Sequence, residues 1–268
     1  MIKSFIKIFY DFYKRLFCAC SYYNYRYWQI FKWLFSSNET SNFTYELTET
    51  SYEYLAQTVS VVTGESYHKI RSYINEVLHD PFLKNQLIEN ATNNSAKRTL
   101  GEINSFGRRL GWYAIARSIK PKLIVETGVE RGHGALVLNY ALIKNAKEDH
   151  FGNYIGTDID PNAGSILNET LMEYGEIIVG DSIETLKKID RPIDLFVNDS
   201  DHSAAYEAAE YEVIKSKLSD KAIVLGDNSH VTDKLLKFSM NNKRKFLYFK
   251  EEPYKHWYPG AGIGISFK

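Results

Sequence analysis

The nine residues Glu126-Thr-Gly-Val-Glu-Arg-Gly-His-Gly134 decide the fold of this chain. They follow the apolar run 123–125, which predicts a buried strand, and they precede a helical pattern that runs from Ala135 to Ala146. Glycines are needed where the backbone turns sharply and comes close to a ligand. The N-terminus of the next helix offers N–H groups to a carboxylate or phosphate. The stretch therefore predicts a strand–loop–helix unit that binds a nucleotide-like cofactor.

Apolar runs and helical patterns alternate after this unit. Five strands are predicted, near residues 122–126, 153–158, 175–179, 193–198 and 221–226. Two later apolar segments, 246–249 and 262–267, predict a closing antiparallel pair. The predicted fold class is therefore α/β: a Rossmann-like, doubly wound, mainly parallel seven-stranded sheet with a closing antiparallel strand and an N-terminal helical extension.

Acidic residues follow the later predicted strands directly. They are Asp158, Asp181, Asp199, Asp201 and Asp227. In an open parallel sheet, ligands bind outside the carboxyl ends of the strands. We therefore expect these side chains and the glycine-rich loop to converge on one crevice.

The glycine spacing excludes the dinucleotide fingerprint G-x-G-x-x-G, because the third glycine position counted from Gly132 is Val137. What the loop does contain is an acid two residues before its first glycine. In this respect the chain resembles the class I S-adenosylmethionine-dependent methyltransferases, whose first loop reads acid-x-Gly-x-x-x-Gly. The resemblance covers roughly residues 108–268.

This resemblance implies a binding site for S-adenosyl-L-methionine. The first loop would hold the methionine part of the cofactor, with Glu126, Gly128, Gly132 and Gly134 as its binding residues. Asp158 would accept hydrogen bonds from the ribose hydroxyls, and Asp181 would contact the adenine amino group. Carboxylates suit both positions, because a vicinal diol and an exocyclic amine are hydrogen-bond donors. The alternative for both aspartates is a helix cap after a strand.

A metal site is predicted at the neighbouring strand ends. Asp199 follows one strand, and Asp227 with Asn228 follows the next. Adjacent strands lie about 5 Å apart, so two carboxylates and an amide oxygen can share one hard cation. The set is similar to the ligands of metal-dependent O-methyltransferases of the catechol, caffeoyl-CoA and sugar-modifying types. It predicts Mg²⁺ or another divalent cation; the alternative is a turn after the strand.

Two residues are candidates for the catalytic base. The resemblance places the base two or three residues beyond the first metal ligand, at Asp201 or His202. We prefer His202, because an imidazole titrates near neutral pH. The catechol type has lysine at this position, so its absence weakens a catechol assignment. A helix cap is the alternative role for the segment 201–203.

The resemblance implies an enzyme that transfers a methyl group from S-adenosylmethionine to a hydroxyl of a small molecule or glycan, assisted by a divalent metal. Two alternatives stay open. One is a metal-independent class I methyltransferase with a nitrogen or oxygen acceptor, and the other is a non-catalytic binding protein with this fold.

Two further segments are candidates to lie near the bound molecules. Residues 252–260 are either an ordinary hairpin loop or an aromatic platform for an acceptor such as a sugar or a phenol. Residues 105–109 are candidates to lie beside the cofactor.

The first 37 residues form a basic-aromatic arm. They contain fourteen aromatic residues, six basic residues and one acidic residue, whereas the whole chain has a formal net charge of +0. No uncharged stretch approaches the roughly 18–20 apolar residues that spanning a membrane requires. The arm is either an amphipathic helix at a membrane surface or a helical arm packed on the domain or on a second subunit. The remaining chain is net acidic, which argues against nucleic acid as a partner.

The other divisions follow from composition. Residues 38–51 are polar and lack periodicity, which predicts a linker. Residues 52–96 show helical stripes and form a predicted helical subdomain, and residues 97–268 form the predicted methyltransferase domain. Cys18 and Cys20 are separated by one residue and are too close for an ordinary disulfide. Their spacing favours a location of the protein in the cytoplasm, and the N-terminal arm leaves open a location at the periphery of a membrane.

Overall fold

The structure is a computed structural model that describes residues 2–22, 24–37, 39–92 and 105–268. The break predicted at residues 93–95 and the domain boundary predicted between residues 96 and 97 lie outside the described residues. The same holds for residue 38, where the predicted linker begins.

Seven strands form one sheet, in agreement with the predicted fold class. They are β1 (Leu123–Thr127), β2 (Asn153–Asp158), β3 (Gly175–Val179), β4 (Ile193–Asn198), β5 (Leu218–Gly226), β6 (Lys245–Phe249) and β7 (Ile263–Phe267). Their order is β3-β2-β1-β4-β5-β7-β6. Strands β1 to β5 pair in parallel, and β7 lies antiparallel between β5 and β6. The prediction of a mainly parallel sheet with a closing antiparallel pair is confirmed.

The apolar runs become central strands because both faces of the sheet are covered. Ile124 of β1 belongs to one hydrophobic cluster, whereas its neighbours Leu123 and Val125 belong to the other. Leu195 and Phe196 of β4 divide between the two clusters in the same way. Successive side chains on a strand point to opposite faces, so a strand covered on both sides is apolar at every position.

Helices cover both faces. On one face lie α6 (Arg109–Ile119) and α7 (His133–Ala146), whose side chains share a cluster with Ile124. The other face is covered by α8 (Ser182–Lys188), α9 (Ala204–Ile214) and α10 (Lys234–Asn241), through residues such as Leu186, Tyr211 and Phe238. The loops that connect strands to helices therefore meet at the carboxyl edge of the parallel strands.

Among the described residues, five further helices precede α6. They are α1 (Ile2–Phe17), α2 (Arg26–Ser36), α3 (Glu49–Thr63), α4 (Tyr67–Leu78) and α5 (Pro81–Thr92), and a short π-helical turn (Cys18–Tyr22) follows α1. Leu55, Ile70 and Leu83, from α3, α4 and α5, are fully buried in the same cluster as α6 and α7. Helices α3 to α5 therefore share the main core and extend it on one side.

Part of the predicted linker is packed against the body. Tyr45 and Leu47 are almost fully buried, and they form isolated β-bridges with Phe106 and Pro253 respectively. Burial removes these two apolar side chains from water, which contributes to holding the otherwise polar segment in place. The segment thereby brings Tyr45 to the carboxyl edge of the sheet.

Candidate functional site

A cavity of about 590 Å³ opens at the carboxyl ends of β1, β2 and β4. Most of the residues predicted to bind a cofactor or act as the base line it: Glu126, Gly128, Gly134, Asp158, Asp181, Asp201 and His202. Asp199 also lines the cavity, whereas Gly132, Asp227 and Asn228 are absent from its lining. The strand-end pattern therefore brings the predicted residues to one place, as expected for an open parallel sheet.

The glycine-rich loop is shaped by close approaches. Gly128 has φ +82°, and a Cβ there would lie 2.0 Å from the main-chain oxygen of Asp199. A Cβ on Gly134 would collide with the carboxylate of Glu126 and the ring of Trp112. Gly132, with φ +101°, is the N-cap of α7. Glycine is needed at these positions because the loop runs against β4 and against its own acid.

Glu126 is a buried acid at the base of the cavity. Its side chain accepts a hydrogen bond from the Tyr154 hydroxyl. Burial raises the pKa of Glu126 to about 8, against the favourable effects of this bond and of the nearby Arg109. A buried acid of this kind favours a positively charged ligand group, which would restore the ionised form.

Asp158 and Asp181 both use their carboxylates within the chain while lining the cavity. Asp158 accepts hydrogen bonds from the N–H of Glu130 at 2.7 Å and of Asp160 at 2.8 Å. Asp181 caps α8 by accepting from the N–H of Glu184 at 3.0 Å. Asp181 therefore has the helix-capping role that was the alternative prediction for it. A carboxylate has about four acceptor sites, so both groups retain capacity for a ligand.

Arg109 belongs to the segment 105–109, which was a candidate to lie beside the cofactor, but no role was predicted for Arg109 itself. It lines the cavity and is 8% exposed. Its Nη1 donates to the main-chain oxygen of Phe43 at 3.3 Å, and its Nε has no hydrogen-bond partner within the described part of the chain. A buried guanidinium with an unused donor at a cavity wall is suited to an anionic group of a ligand.

His133 also lines the cavity and is almost fully buried. It stacks on Phe43, with ring centroids 5.3 Å apart. Burial lowers the pKa of His133 well below its usual range, and the charges of Arg109 and Arg131 add to this effect. The imidazole is therefore neutral at physiological pH.

Arg108 and Asp227 form a buried, bidentate ion pair. Arg108 Nε donates to one carboxylate oxygen of Asp227 at 2.5 Å, and Nη2 donates to the other at 2.6 Å. Both side chains are less than a tenth exposed. Burial by itself would raise the pKa of Asp227, but the guanidinium holds that pKa below its usual range.

The Arg108 guanidinium is itself held by a polar network. Its Nη1 donates to the hydroxyl oxygen of Tyr45 at 2.7 Å, and the Tyr45 hydroxyl donates to Glu251 at 2.9 Å. The main-chain N–H of Arg108 also donates to Glu251, at 3.1 Å. Sequence analysis assigned no role to Tyr45 or Glu251, and their separation along the chain gives no local signal for the contact.

Asp199 lies beside Asp227 and shares a hydrogen bond with it. Burial, followed by the negative charge of Asp227, raises the pKa of Asp199 well above its usual range. Asp227 is buried and Asp199 is half-buried. Ionising both carboxyls would place like charges in contact, and Asp227 has the arginine, so Asp199 is the harder of the two to ionise.

His202 is oriented by Asn228. Its Nδ1 contacts the amide oxygen of Asn228, which is fully buried. An amide oxygen accepts only, so Nδ1 carries the hydrogen and the Nε2 lone pair is the basic position. Asp201, the other candidate base, is exposed, as His202 is, but its carboxylate accepts from the N–H of Ser203 at 2.8 Å and has no hydrogen bond with Asn228. The geometry therefore favours His202 over Asp201 as a proton acceptor.

The donor set predicted for Mg²⁺ does not fit a divalent ion as it is arranged. Arg108 engages both oxygens of Asp227, and His202 engages the oxygen of Asn228. Among the described residues, no group of three or more His, Cys, Asp or Glu side chains is placed to hold a metal. The three predicted ligands do meet at adjacent strand ends, but the positive charge beside Asp227 is a guanidinium. The magnesium site is thus unsupported and stays a prediction.

Glu210 lies beneath the site and was missed by sequence analysis. This fully buried acid on α9 accepts hydrogen bonds from Thr127 at 3.1 Å and from Ser200 at 2.8 Å, and also from Asn198 and Ser182. The two carboxylate oxygens of Glu210 thereby connect the ends of β1 and β4 to the start of α8. An acid on a helix between other acids gives no sequence signal of such a role.

The central part of the chain matches a known family. Residues 125–229 match the model of the methyltransferase domain family. This region runs from β1 through β5 and contains every residue predicted to bind cofactor or metal or to act as the base. No curated protein matches the chain.

Solved structures similar to this chain include three methyltransferases. An SAH-bound methyltransferase of Podospora anserina is 19% identical, with a TM-score of 0.49 over 70% of this chain and 88% of that one. An O-methyltransferase of Bacillus cereus in complex with SAH is 14% identical, with a TM-score of 0.47 over 74% and 96%. An O-methyltransferase of Streptomyces achromogenes involved in tomaymycin synthesis, in complex with SAM, is 14% identical, with a TM-score of 0.47 over 70% and 90%.

The raised pKa of Glu126 predicts a pH-dependent stability. The usual carboxyl pKa is 4.5 and that of folded Glu126 is about 8, so between these values the folded chain binds more protons than the unfolded chain. Its free energy of unfolding then falls as pH rises, by up to about 1.4 kcal/mol per pH unit for one proton. The variant Glu126→Gln removes this contribution. Its stability relative to the unaltered chain should therefore increase as the pH rises from 4.5 to about 8.

Urea denaturation of both proteins at several pH values within this window measures the effect. The control is Glu184→Gln, which changes an exposed glutamate on α8. A stability difference between Glu126→Gln and the unaltered chain that stays constant with pH would show that Glu126 is ionised throughout.

Proposed function

We propose that this protein is an S-adenosylmethionine-dependent methyltransferase that methylates a hydroxyl of a small molecule or glycan. The observation that carries the proposal is the cavity that Glu126, Asp158 and Asp181 line together, placed at the carboxyl ends of β1, β2 and β3 respectively. The family match over residues 125–229 supports the same conclusion. The oxygen acceptor is favoured because a candidate base, His202, lies at the same cavity.

Each part of the cofactor has a chemically suited partner. The methionine ammonium would restore the ionised form of Glu126, and Arg109 offers an unused donor to the methionine carboxylate. The carboxylate of Asp158 would accept from the ribose hydroxyls, and that of Asp181 from the adenine amino group. The absence of a Cβ at Gly128 lets the first loop pack against the backbone of Asp199, and this places the loop at the cavity wall.

The bound cofactor would supply an electrophilic methyl group for a direct displacement. The acceptor oxygen would bond to the methyl carbon as the carbon–sulfur bond breaks, and the electron pair of that bond would leave the sulfur as a neutral thioether. The acceptor proton would move to Nε2 of His202, while Asn228 holds Nδ1–H and so fixes the tautomer. The chain contributes alignment of the two reactants and removal of one proton.

The charge beside Asp227 distinguishes two versions of this function. In the version we favour, Arg108 permanently neutralises Asp227 and the reaction proceeds without a divalent ion. The second candidate is the metal-assisted reaction predicted from sequence, which is supported by the meeting of Asp199, Asp227 and Asn228 at adjacent strand ends. It requires Arg108 to leave Asp227. Until a metal ion bound there, the buried carboxylate of Asp227 would have no compensating positive charge.

Replacing the base should abolish turnover and leave cofactor binding intact. We expect His202→Ala to lower the rate of methyl transfer by about 10²–10⁴-fold, the usual contribution of a general base. The measurement is transfer of labelled methyl from S-adenosylmethionine to a panel of sugar and phenol hydroxyls, with cofactor affinity measured by calorimetry.

Two variants serve as controls for this experiment. Asp201→Asn tests the other candidate base and should keep most of the activity, and His79→Ala changes an exposed histidine at the C-cap of α4. Full activity of His202→Ala with loss of activity in Asp201→Asn would reassign the base. Failure of the unaltered protein to bind the cofactor at all would contradict the proposed function itself.

The ion pair predicts that divalent metal has no effect on the unaltered protein. A chelator should leave methyl transfer unchanged, and Mg²⁺ or Mn²⁺ should leave the thermal unfolding temperature unchanged, because Arg108 already occupies Asp227. In Arg108→Ala the carboxylate is uncompensated, which costs about 3–5 kcal/mol of stability, and a divalent ion should recover part of this loss.

The matched control for this variant is Arg117→Ala. Arg117 is equally buried and pairs with Glu76 and Glu148, away from the cavity. Its loss should destabilise the fold without creating any response to metal. If Arg108→Ala does not fold, titration of the unaltered protein still decides, since stabilisation by Mn²⁺ together with loss of activity in chelator would support the metal-assisted reaction.

A further inference from the structure

Helix α1 presents an apolar face that is exposed from Phe5 to Leu16. Its described members are Phe5, Ile6, Ile8, Phe9, Phe12, Tyr13 and Leu16, and each is at least half exposed. They recur three and four residues apart, so they cover one continuous side of the helix. Burial of such side chains normally stabilises a fold, and here they lie outside the core.

The opposite side of α1 is basic. Lys7 and Lys14 stand one above the other, two turns apart, and Arg15 lies at its border, with Asp11 as the one acidic residue of the helix. The ammonium group of Lys14 lies 4.9 Å from the ring of Tyr10, at the edge of the apolar face. The helix therefore combines a wide apolar face with cations along its polar face, which is the pattern of helices that lie in a membrane interface.

Helix α2 attaches this part of the chain to the body. The rings of Trp33 and Trp257 pack with their centroids 4.6 Å apart. The outer side of α2 carries a second aromatic surface, in which Phe31 lies 5.6 Å from Trp28 and 5.0 Å from Phe35. All three of these side chains are more than half exposed. The helix is therefore fixed on one side and unpartnered on the other.

We propose that residues 2–36, the aromatic arm, bind the surface of an anionic lipid bilayer. The apolar faces of α1 and α2 would enter the boundary between headgroups and acyl chains, and the basic side of α1 would contact anionic headgroups. In the described stretches of the chain, no helix is long and apolar enough to cross a bilayer. The arm would therefore lie in the interface.

Charge favours lipid over a second copy of the chain. The first 37 residues carry six basic residues and one acidic residue, so two arms in a symmetric contact would bring like charges together. The rest of the chain has the opposite net charge and is repelled by an anionic surface. An anionic bilayer satisfies both faces of α1, whereas self-association would satisfy only the apolar one. This proposal is independent of methyl transfer.

The test is co-flotation of the full-length protein with vesicles. We expect binding to vesicles of phosphatidylcholine with phosphatidylglycerol, weak binding to phosphatidylcholine alone, and release by salt. The double variant Phe9→Glu/Phe12→Glu should lose at least about tenfold in affinity, because two charges enter the apolar face. Lys7→Glu/Lys14→Glu should lose at least about 25-fold, since each basic residue near an anionic surface contributes roughly fivefold.

The matched control is Tyr54→Glu/Val61→Glu, which places the same charges on exposed apolar residues of α3 in the body and should bind as the unaltered protein does. Thermal unfolding of each variant shows that the body stays folded. Absence of flotation with anionic vesicles, or equal flotation with both vesicle types, would overturn the proposal. So would a dimer in solution that dissociates in Phe9→Glu/Phe12→Glu without any vesicle binding.

Discussion

The buried ion pair between Arg108 and Asp227 is the interaction on which the site depends. It joins the segment before α6 to the end of β5, and the guanidinium also holds Tyr45, which in turn contacts Glu251. Breaking a buried pair by removing one partner usually costs about 3–5 kcal/mol. The pair therefore explains why a polar segment packs against the sheet and why a fixed cation lies beside the strand ends.

Burial controls the charge of the cavity. It raises the pKa of Glu126 and of Asp199, and it lowers the pKa of His133. The side chains of the site therefore carry fewer charges than their composition suggests. A ligand with an ammonium and a carboxylate would supply partners for Glu126 and Arg109 together, and a ligand with only one charge would satisfy only one of them.

Much of the fold could be predicted because its signals are local. A strand buried on both faces is apolar at every position, and a loop that approaches its neighbour needs glycine, as at Gly128. The contacts of Arg108 could not be predicted, since its partners Tyr45, Asp227 and Glu251 lie 63, 119 and 143 residues away. An acid after a strand shows that a cation is needed and leaves open whether that cation is a metal or a guanidinium.

A crystal structure of the chain with S-adenosylhomocysteine would show whether the cavity binds this ligand as proposed. We expect the ligand at the carboxyl ends of β1 and β2, with its ribose hydroxyls on Asp158, its adenine near Asp181, its carboxylate on Arg109, and the Arg108–Asp227 pair intact. A ligand bound elsewhere, or a cavity that stays empty at saturating ligand, would contradict the proposal.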